Sequence, residues 1–293
     1  MIKRILSKFC SAPHPTPPPP SPVSDVDQIL LKTCYRQMYS KPEGAKPLLR
    51  DSGFKIFSQT DEDGLLLHIF SVLGEGSKLC VEICAGDGKE CNSANLLINH
   101  GWHGLLVDGN ADMVRTGRDY YRNHPHTRIY PPIFQQAWIT RTNVNETVKE
   151  AGFTGQVDLL SLDLDGMDYW IWDALTIIEP RVVVLEYQDI LGPERSVTVP
   201  YRDDFNAYEH PTTDGMPNYG GASLRAFQGL AARRGYRLVG CNRYGYNAFF
   251  VRNPEGLPHL PEVSIESCFQ HPKVRHGMAT RYPSVQHLPW VEV

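Results

Sequence analysis

The sequence lacks a strong excess of charge of either sign, and it lacks any cysteine pattern typical of a metal site. Its 293 residues include 29 Lys and Arg and 33 Asp and Glu, so the net charge of −4 gives no overall attraction for nucleic acid. No two of the seven cysteines have C-x-x-C spacing, which argues against zinc. We expect reduced, mostly buried thiols in a cytoplasmic protein. The cysteines are Cys10, Cys34, Cys80, Cys84, Cys91, Cys241 and Cys268.

The sequence also lacks a long hydrophobic run. No apolar stretch approaches the roughly 20 residues that a helix needs to span a bilayer. The first residues, MIKRILSKFC, are basic and weakly amphipathic, without the apolar segment and cleavage site of a secretory signal. We interpret them as a frayed basic tail, with a membrane-surface or targeting segment as the alternative.

The composition is that of an ordinary globular protein, with 41% hydrophobic and 21% charged residues. Residues 1–24 combine the basic start with a proline-rich linker, for which the alternative is a ligand of a proline-binding module. We expect a helical extension over 25–76 and the main domain over 77–252. Residues 253–293 are expected to form a C-terminal extension lying on that domain.

From residue 78 onward, strand-like and helix-like segments alternate. Apolar runs such as KLCVEIC and VDLLSLDLDG are separated by helical patterns, including helices predicted over 89–100 and 168–178. This alternation predicts an α/β fold with a mostly parallel sheet covered on both faces. The last two strand segments, RLVGC and NAFFVR, are separated only by NRYGY, a connection too short for a parallel crossover. One strand near the end of the sheet is therefore expected to be reversed.

The segment VEICAGDGKEC at 81–91 is an apolar run that breaks into a turn of small residues. Gly86 and Gly88 can adopt backbone conformations that side chains would block. Glu82 lies inside the run, where a buried carboxylate must accept hydrogen bonds. Asp108 ends the next strand, where an acid can bind both hydroxyls of a ribose. The pattern predicts a nucleoside-containing cofactor, with free amides of the following helix pointing at it.

A nicotinamide dinucleotide is the main alternative to a methyl donor as that cofactor. Its fingerprint, G-x-G-x-x-G/A, would place Cys91 at the third glycine position, and Asp87 within the turn would repel a pyrophosphate. S-adenosylmethionine has no phosphate and carries a sulfonium cation. The charge of the turn therefore favours the methyl donor.

The stretch VEICAGDGKECNSANLLINHGWHGLLVDGN resembles the first cofactor motif of class I methyltransferases, and it looks most like the FkbM-type family. Cys84 stands where the family pattern E-x-G-x-G-x-G has its first glycine. DLLSLDLDGMDYWIWDAL is similar to the fourth-strand motif of that family, and the resemblance covers roughly residues 55–252. It implies a Rossmann-like, mostly parallel seven-stranded sheet with one reversed strand.

Together, the turn chemistry and the resemblance predict which residues contact the cofactor. By resemblance, Trp138 lies near the adenine and can stack on it, the alternative being that it fills the core. The predicted cofactor contacts are Glu82, Ala85, Gly86, Gly88, Asp108, Gly109, Trp138 and Asp163.

A second cluster of acids follows the strand VDLLSLDLDG. Alternation puts Asp163 and Asp165 on the same side of the strand end, where like charges favour a shared proton or cation. We predict that one of them is the general base or orients the acceptor. With Glu186 at the end of the next strand, the pair is also a candidate Mg²⁺ site. Asp168 is expected to complement the dipole of the following helix.

The irregular stretch 189–219 is predicted to be a substrate lid, because long loops are often functional. Within it, His210 is a candidate catalytic residue, and the alternative is a solvent-facing loop histidine. Tyr169, Trp170 and Trp172 are expected to be packing residues at the start of a helix.

These features predict methyl transfer from S-adenosylmethionine to a hydroxyl oxygen of a small molecule or sugar. We expect no nucleic-acid partner and no transmembrane segment, and a homo-oligomer stays open. The alternatives are a nicotinamide-dependent oxidoreductase and a non-catalytic binding or scaffold protein on a methyltransferase fold.

Overall fold

The computed structural model describes residues 24–41, 46–213 and 215–293. Except for Ser24, the predicted basic tail and proline-rich linker lie outside the described residues. The helices are α1 (Asp25–Ser40), α2 (Glu62–Leu73), α3 (Ala94–Asn99), α4 (Ala111–Asn123), α5 (Val144–Glu150), α6 (Asp168–Ala174), α7 (Leu224–Arg233) and α8 (Pro272–Thr280). The strands are β1 (Leu79–Ile83), β2 (His103–Asp108), β3 (Ile133–Gln136), β4 (Gly155–Leu162), β5 (Ile178–Glu186), β6 (Val197–Thr198), β7 (Thr212–Thr213), β8 (Met216–Pro217), β9 (Tyr236–Cys241), β10 (Asn247–Arg252) and β11 (Val291–Glu292).

The central sheet has seven strands in the order β3-β2-β1-β4-β5-β10-β9. The pairings among β1 to β5 are all parallel. β10 is antiparallel to both of its neighbours, β5 and β9, so it alone runs against the others. This confirms the predicted Rossmann-like α/β fold with one reversed strand.

Both faces of the sheet are buried under helices. In β1, Val81 and Ile83 face the hydrophobic cluster that includes α5, α6 and α7, whereas Cys80 faces the cluster formed with α2, α3 and α4. Alternate residues of one strand therefore enter different cores, because successive side chains of a strand point to opposite faces. This explains why the strands read as nearly continuous apolar runs.

Two predicted helices are shorter than expected, for identifiable reasons. The helix predicted over 168–178 ends at Ala174. The backbone N–H groups of Thr176 and Ile177 donate to Asn145 Oδ1, at 2.8 and 3.0 Å, and β5 begins at Ile178. Likewise, the helical pattern over 89–100 forms a helix only from Ala94, because the residues before it are held in a turn.

The C-terminal residues contain α8 and β11. β11 pairs antiparallel with β6, and Val274 of α8 is buried in the hydrophobic core. At the other end, α1 begins with a capping box in which Ser24 and Asp27 exchange hydrogen bonds. Among the described residues, no helix has both the length and the hydrophobicity required to cross a bilayer.

Candidate cofactor and acceptor site

A cavity of about 1340 Å³ opens where the parallel strands end. Open α/β sheets bind ligands at this edge. Loops after β1, β2, β4 and β5 line it, and residues 203–209 and 215–217 of the long stretch 189–219 form another wall. Ligand pockets commonly measure about 300 to 1000 Å³, so this one has room for two small ligands at once.

Glu82 shapes the turn after β1 without lining the cavity. Its buried carboxylate accepts hydrogen bonds from the backbone N–H groups of Asn92 and Ser93, at 2.9 and 2.8 Å, and from Ser161 Oγ at 3.2 Å. The hydrogen-bond donors that the sequence predicts for this buried acid are therefore groups of the protein itself. The sequence predicts that free amides at the start of the next helix point at the ligand, but no residue of α3 lines the cavity, and the two amides just before α3 donate to Glu82.

Asp108 joins the first turn to the end of β2 and lines the cavity. Its Oδ2 accepts from the Gly86 N–H at 2.8 Å and its Oδ1 from the Asn110 N–H at 2.7 Å. Each carboxylate oxygen has two lone pairs, so both can still accept from a ligand hydroxyl. Gly86 also lines the cavity, whereas Gly88 and Ala85 do not.

Trp138 lies on the cavity wall after β3, with 63% of its surface exposed. Its indole N–H donates to the carbonyl oxygen of Asp203, at 2.6 Å, which fixes the ring against the stretch 203–209. The alternative that Trp138 fills the core is wrong. Gly109 packs directly beneath this ring, where an added Cβ would lie 3.0 Å from Trp138.

The acids after β4 and β5 come together, as the sequence predicts. Asp163, Asp165 and Glu186 each present a carboxylate oxygen within 4.8 Å of those of the other two. All three line the cavity. Asp168 lies behind them, buried, and accepts from the N–H groups of Leu164 at 2.8 Å and Gly166 at 3.2 Å. Asp168 therefore holds the loop that presents the cluster.

Proximity and burial change the protonation of this cluster. Asp163 has solvent-accessible surface in the cavity, but protein atoms surround its carboxyl group. Poor hydration, with repulsion from Asp168 and Asp165, raises the pKa of Asp163 to about 8. Burial and the charge of Asp163 also raise the pKa of Glu186 well above its usual range. Both carboxyl groups therefore hold their protons to higher pH than isolated acids do.

His210 is not brought to the cavity. Its ring packs between Phe205, at a centroid distance of 5.9 Å, and Tyr219, at 4.6 Å. The Tyr219 hydroxyl donates to the Pro289 carbonyl oxygen, so the rings of His210 and Tyr219 support the wall of the cavity from behind. Tyr169 and Trp172 are buried in the core, as expected for packing residues.

Sequence reasoning missed several residues of the cavity wall. Cys84 has a φ of +64°, in the left-handed region that favours glycine. The sequence did offer a signal for this residue, because Cys84 stands at a glycine position of the cofactor motif. The others come from segments outside the motifs, and their presence depends on tertiary packing. These missed residues are Gln59, Thr60, Cys84, Tyr246, Lys273 and Arg281.

No protein-family model matches the chain, and a search of curated proteins finds no match. Nothing in these comparisons assigns the chain to the FkbM-type family, so that resemblance stays a prediction.

Solved methyltransferase structures are distantly similar. Magnesium protoporphyrin IX methyltransferase from Synechocystis PCC 6803, with bound S-adenosylmethionine, has 12% identity and a TM-score of 0.37, over 80% of this chain and 100% of that one. An O-methyltransferase from Bacillus cereus with S-adenosylhomocysteine has 10% identity and a TM-score of 0.40, over 76% and 88%. A glycopeptide N-methyltransferase with sinefungin has 11% identity and a TM-score of 0.38, over 62% and 83%. At these TM-scores the likeness carries no inference about activity, and the strand order and orientation define the fold.

Proposed function

We propose that this protein is an S-adenosylmethionine-dependent methyltransferase that methylates a hydroxyl oxygen of a small molecule or sugar. The observation that carries the proposal is Asp108. It ends β2, lines the cavity and is held by the Gly86 and Asn110 amides with acceptor capacity to spare. A carboxylate so placed suits the two hydroxyls of a ribose.

The environment of the first turn supports a cofactor without phosphates. A pyrophosphate binds at a helix N-terminus through free amides. Here the Asn92 and Ser93 amides before α3 are occupied by Glu82. The predicted repulsion of a pyrophosphate by Asp87 does not contribute, because the Asp87 carboxylate pairs with Lys89 Nζ at 2.7 Å and does not line the cavity. The acids that do line the cavity favour a positively charged sulfonium.

In the proposed reaction, Asp163 is the general base. The Asp163 carboxylate would take the proton of the acceptor hydroxyl while the hydroxyl oxygen bonds the methyl group, which bound S-adenosylmethionine would supply, leaving S-adenosylhomocysteine as the second product. A raised pKa suits this role, because a base works best with a pKa near the working pH. Asp165 orients the acceptor, and the wall at 203–209 excludes water.

The same cluster fits a divalent cation in the alternative form of this proposal. The three carboxylates present oxygens within 4.8 Å of one another, a spacing that small side-chain movements would adapt to one Mg²⁺ ion, and a cation would relieve the repulsion that raises the pKa of Asp163 and Glu186. Asp163, Asp165 and Glu186 would hold the ion, which would supply Lewis-acid activation of the acceptor hydroxyl. Calorimetric titration of Mg²⁺ into wild type and Asp165→Asn tests this binding without turnover.

Isothermal titration calorimetry with S-adenosylhomocysteine tests the proposed function. We expect saturable binding by wild type and at least about tenfold weaker binding by Asp108→Ala. Without the carboxylate, the two ribose hydroxyls would be buried without hydrogen-bond acceptors, which would weaken the free energy of binding by more than about 1.4 kcal/mol. Asp112→Ala is the matched control, an exposed acid four residues away on α4. Absence of binding by wild type, or equal affinity in the Asp108 variant, would contradict the proposal.

A further inference from the structure

Two cations reach the cavity from the C-terminal part of the chain. Lys273 lies in the first turn of α8 and Arg281 directly follows that helix. Both line the cavity, near Asp189 just beyond the end of β5. The sequence motifs for the cofactor and the acidic cluster account for neither residue.

Neither cation is hydrogen-bonded to the carboxylate between them. Lys273 Nζ lies 3.7 Å from Asp189 Oδ2, and Arg281 Nη1 lies 3.5 Å from Asp189 Oδ1. These separations exceed the usual range for charged hydrogen bonds. Asp189 is only 3% exposed, and its Oδ2 has no hydrogen-bond partner among the described residues. Oδ2 is an acceptor, so the group that completes it must be a hydrogen-bond donor, such as a hydroxyl of the ligand that the two cations hold.

Arg281 is held rigidly with part of its guanidinium free. Its Nε donates to Asn218 Oδ1 at 2.8 Å and its Nη2 to the Pro217 carbonyl oxygen at 2.9 Å. Within the described part of the chain, Nη1 makes no hydrogen bond, although the side chain is only 11% exposed. Lys273 is placed by the ring of Tyr246, 4.7 Å from its Nζ.

The charges at this position do not balance. Lys273 and Arg281 supply two positive charges and Asp189 one negative charge, which leaves a surplus of one positive charge. If the cations served only to neutralise Asp189, one of them would suffice, and it would be expected at hydrogen-bond distance. The surplus is directed into a cavity whose other charged lining residues are acids.

We propose that Lys273 and Arg281 bind an oxyanion, a carboxylate or a phosphate group, of the methyl acceptor. The inference deepens the proposed function and rests on it for the identity of the acceptor. Asp189 follows Glu186 by three residues, and Glu186 contacts Asp163. An acceptor anchored by its anionic group at α8 would therefore present a hydroxyl toward Asp163. Rigid donors with free hydrogen-bonding capacity cost little to organise when the anion binds.

Thermal unfolding with two probe anions tests this site without cofactor or turnover. Inorganic phosphate and acetate are each added to the full-length protein against sodium chloride of equal ionic strength. We expect at least one anion to raise the Tm of wild type by about 3 °C. A response to phosphate alone indicates a phosphate ester, and a response to acetate alone a carboxylate.

Three variants and one control identify the site of the effect. Lys273→Gln and Arg281→Gln are expected to lose the anion-dependent rise, whereas Lys149→Gln, an exposed control on α5, retains it. Asp189→Asn removes the competing charge and is expected to enlarge the rise. The Lys273 side chain is 35% exposed, so Lys273→Gln is expected to fold, and this variant alone tests the site if Arg281→Gln does not fold.

No rise with either anion in wild type, or an undiminished rise in Lys273→Gln, would overturn the inference. Failure of S-adenosylhomocysteine binding would instead count against the proposed function, and the two results are independent.

Discussion

The carboxylates around the cavity differ in their partners, and this difference assigns their roles. Glu82 and Asp168 accept hydrogen bonds from backbone amides and hold loops. Asp108 accepts from two amides yet faces the cavity. Asp163 lies close to several other carboxyl groups, which is costly unless a proton, a cation or a ligand is added. Asp163 is therefore the carboxyl group at which the chemistry is proposed.

Replacement of Asp163 by Asn is expected to stabilise the protein at alkaline pH. The folded-state pKa of about 8 lies above the ordinary 3.8, so the folded protein binds more protons across that window. The free energy of unfolding therefore falls as pH rises from about 4 to 8. Solvent in the cavity screens the effect, and we expect on the order of 1 kcal/mol at pH 8, or about 2–4 °C in Tm.

The measurement is thermal unfolding of wild type and Asp163→Asn from pH 5 to 8.5 in the presence of a chelator. Asp119→Asn, an exposed acid on α4, is the control and should keep the wild-type pH dependence. An Asp163→Asn protein that is less stable than wild type at pH 8 would contradict the raised pKa.

At the scale of the element, the turn after β1 contains two glycines with different tasks. Gly88 has a φ of +69°, and an added Cβ would lie 2.8 Å from both Leu106 and Phe134. Gly86 has a φ of +57°, but an added Cβ there would meet no protein atom within 4 Å. One glycine permits packing of the turn on α4 and β2, and the other keeps the cavity open.

Alanine substitutions are expected to separate these tasks. Gly88→Ala should lower the free energy of unfolding by about 2–4 kcal/mol, through backbone strain and overpacking. Gly86→Ala should cost only about 1 kcal/mol of stability, yet weaken S-adenosylhomocysteine binding at least as strongly as Gly88→Ala does. Urea unfolding and calorimetry measure the two quantities. Equal losses of stability in both variants would contradict this division.

The strands and the motif positions were predictable because local patterns determine them. The apolar run of β1, the short connection between the closing strands and the acids after β4 all follow from short-range sequence. Helix ends were less predictable: α6 stops at Ala174 because Asn145, distant in sequence, captures two backbone amides. The sequence predicted that Glu82 accepts hydrogen bonds but not which groups donate them, since these partners depend on how the turn folds back.

The wall of the cavity was the least predictable part. Lys273 and Arg281 come from the C-terminal extension, which has no strong periodicity, and they reach the site only because α8 packs near Asp189. His210 shows the converse: it lies in the expected segment, but aromatic packing turns it away from the cavity. Tertiary contacts between distant segments leave no local signal in the sequence.

At the scale of the whole molecule, charge is expected to select the cofactor. The net charge is −4, and acids dominate the cavity lining. S-adenosylmethionine carries one net positive charge, whereas S-adenosylhomocysteine is neutral overall. Raising the salt concentration from about 0.01 to 0.15 M shortens the Debye length from about 30 to 8 Å. We expect the Kd of the charged donor to increase by about threefold and that of the neutral product to stay nearly constant. Calorimetry at both salt concentrations measures this, and an equal salt dependence for the two would contradict it.

A crystal structure of the protein with S-adenosylhomocysteine tests the central claim most directly. The account predicts the ribose hydroxyls within hydrogen-bond distance of Asp108, the adenine beside Trp138 and the sulfur on the side of Asp163. A cofactor bound elsewhere, or side chains filling the space between Gly86 and Asp163, would contradict it.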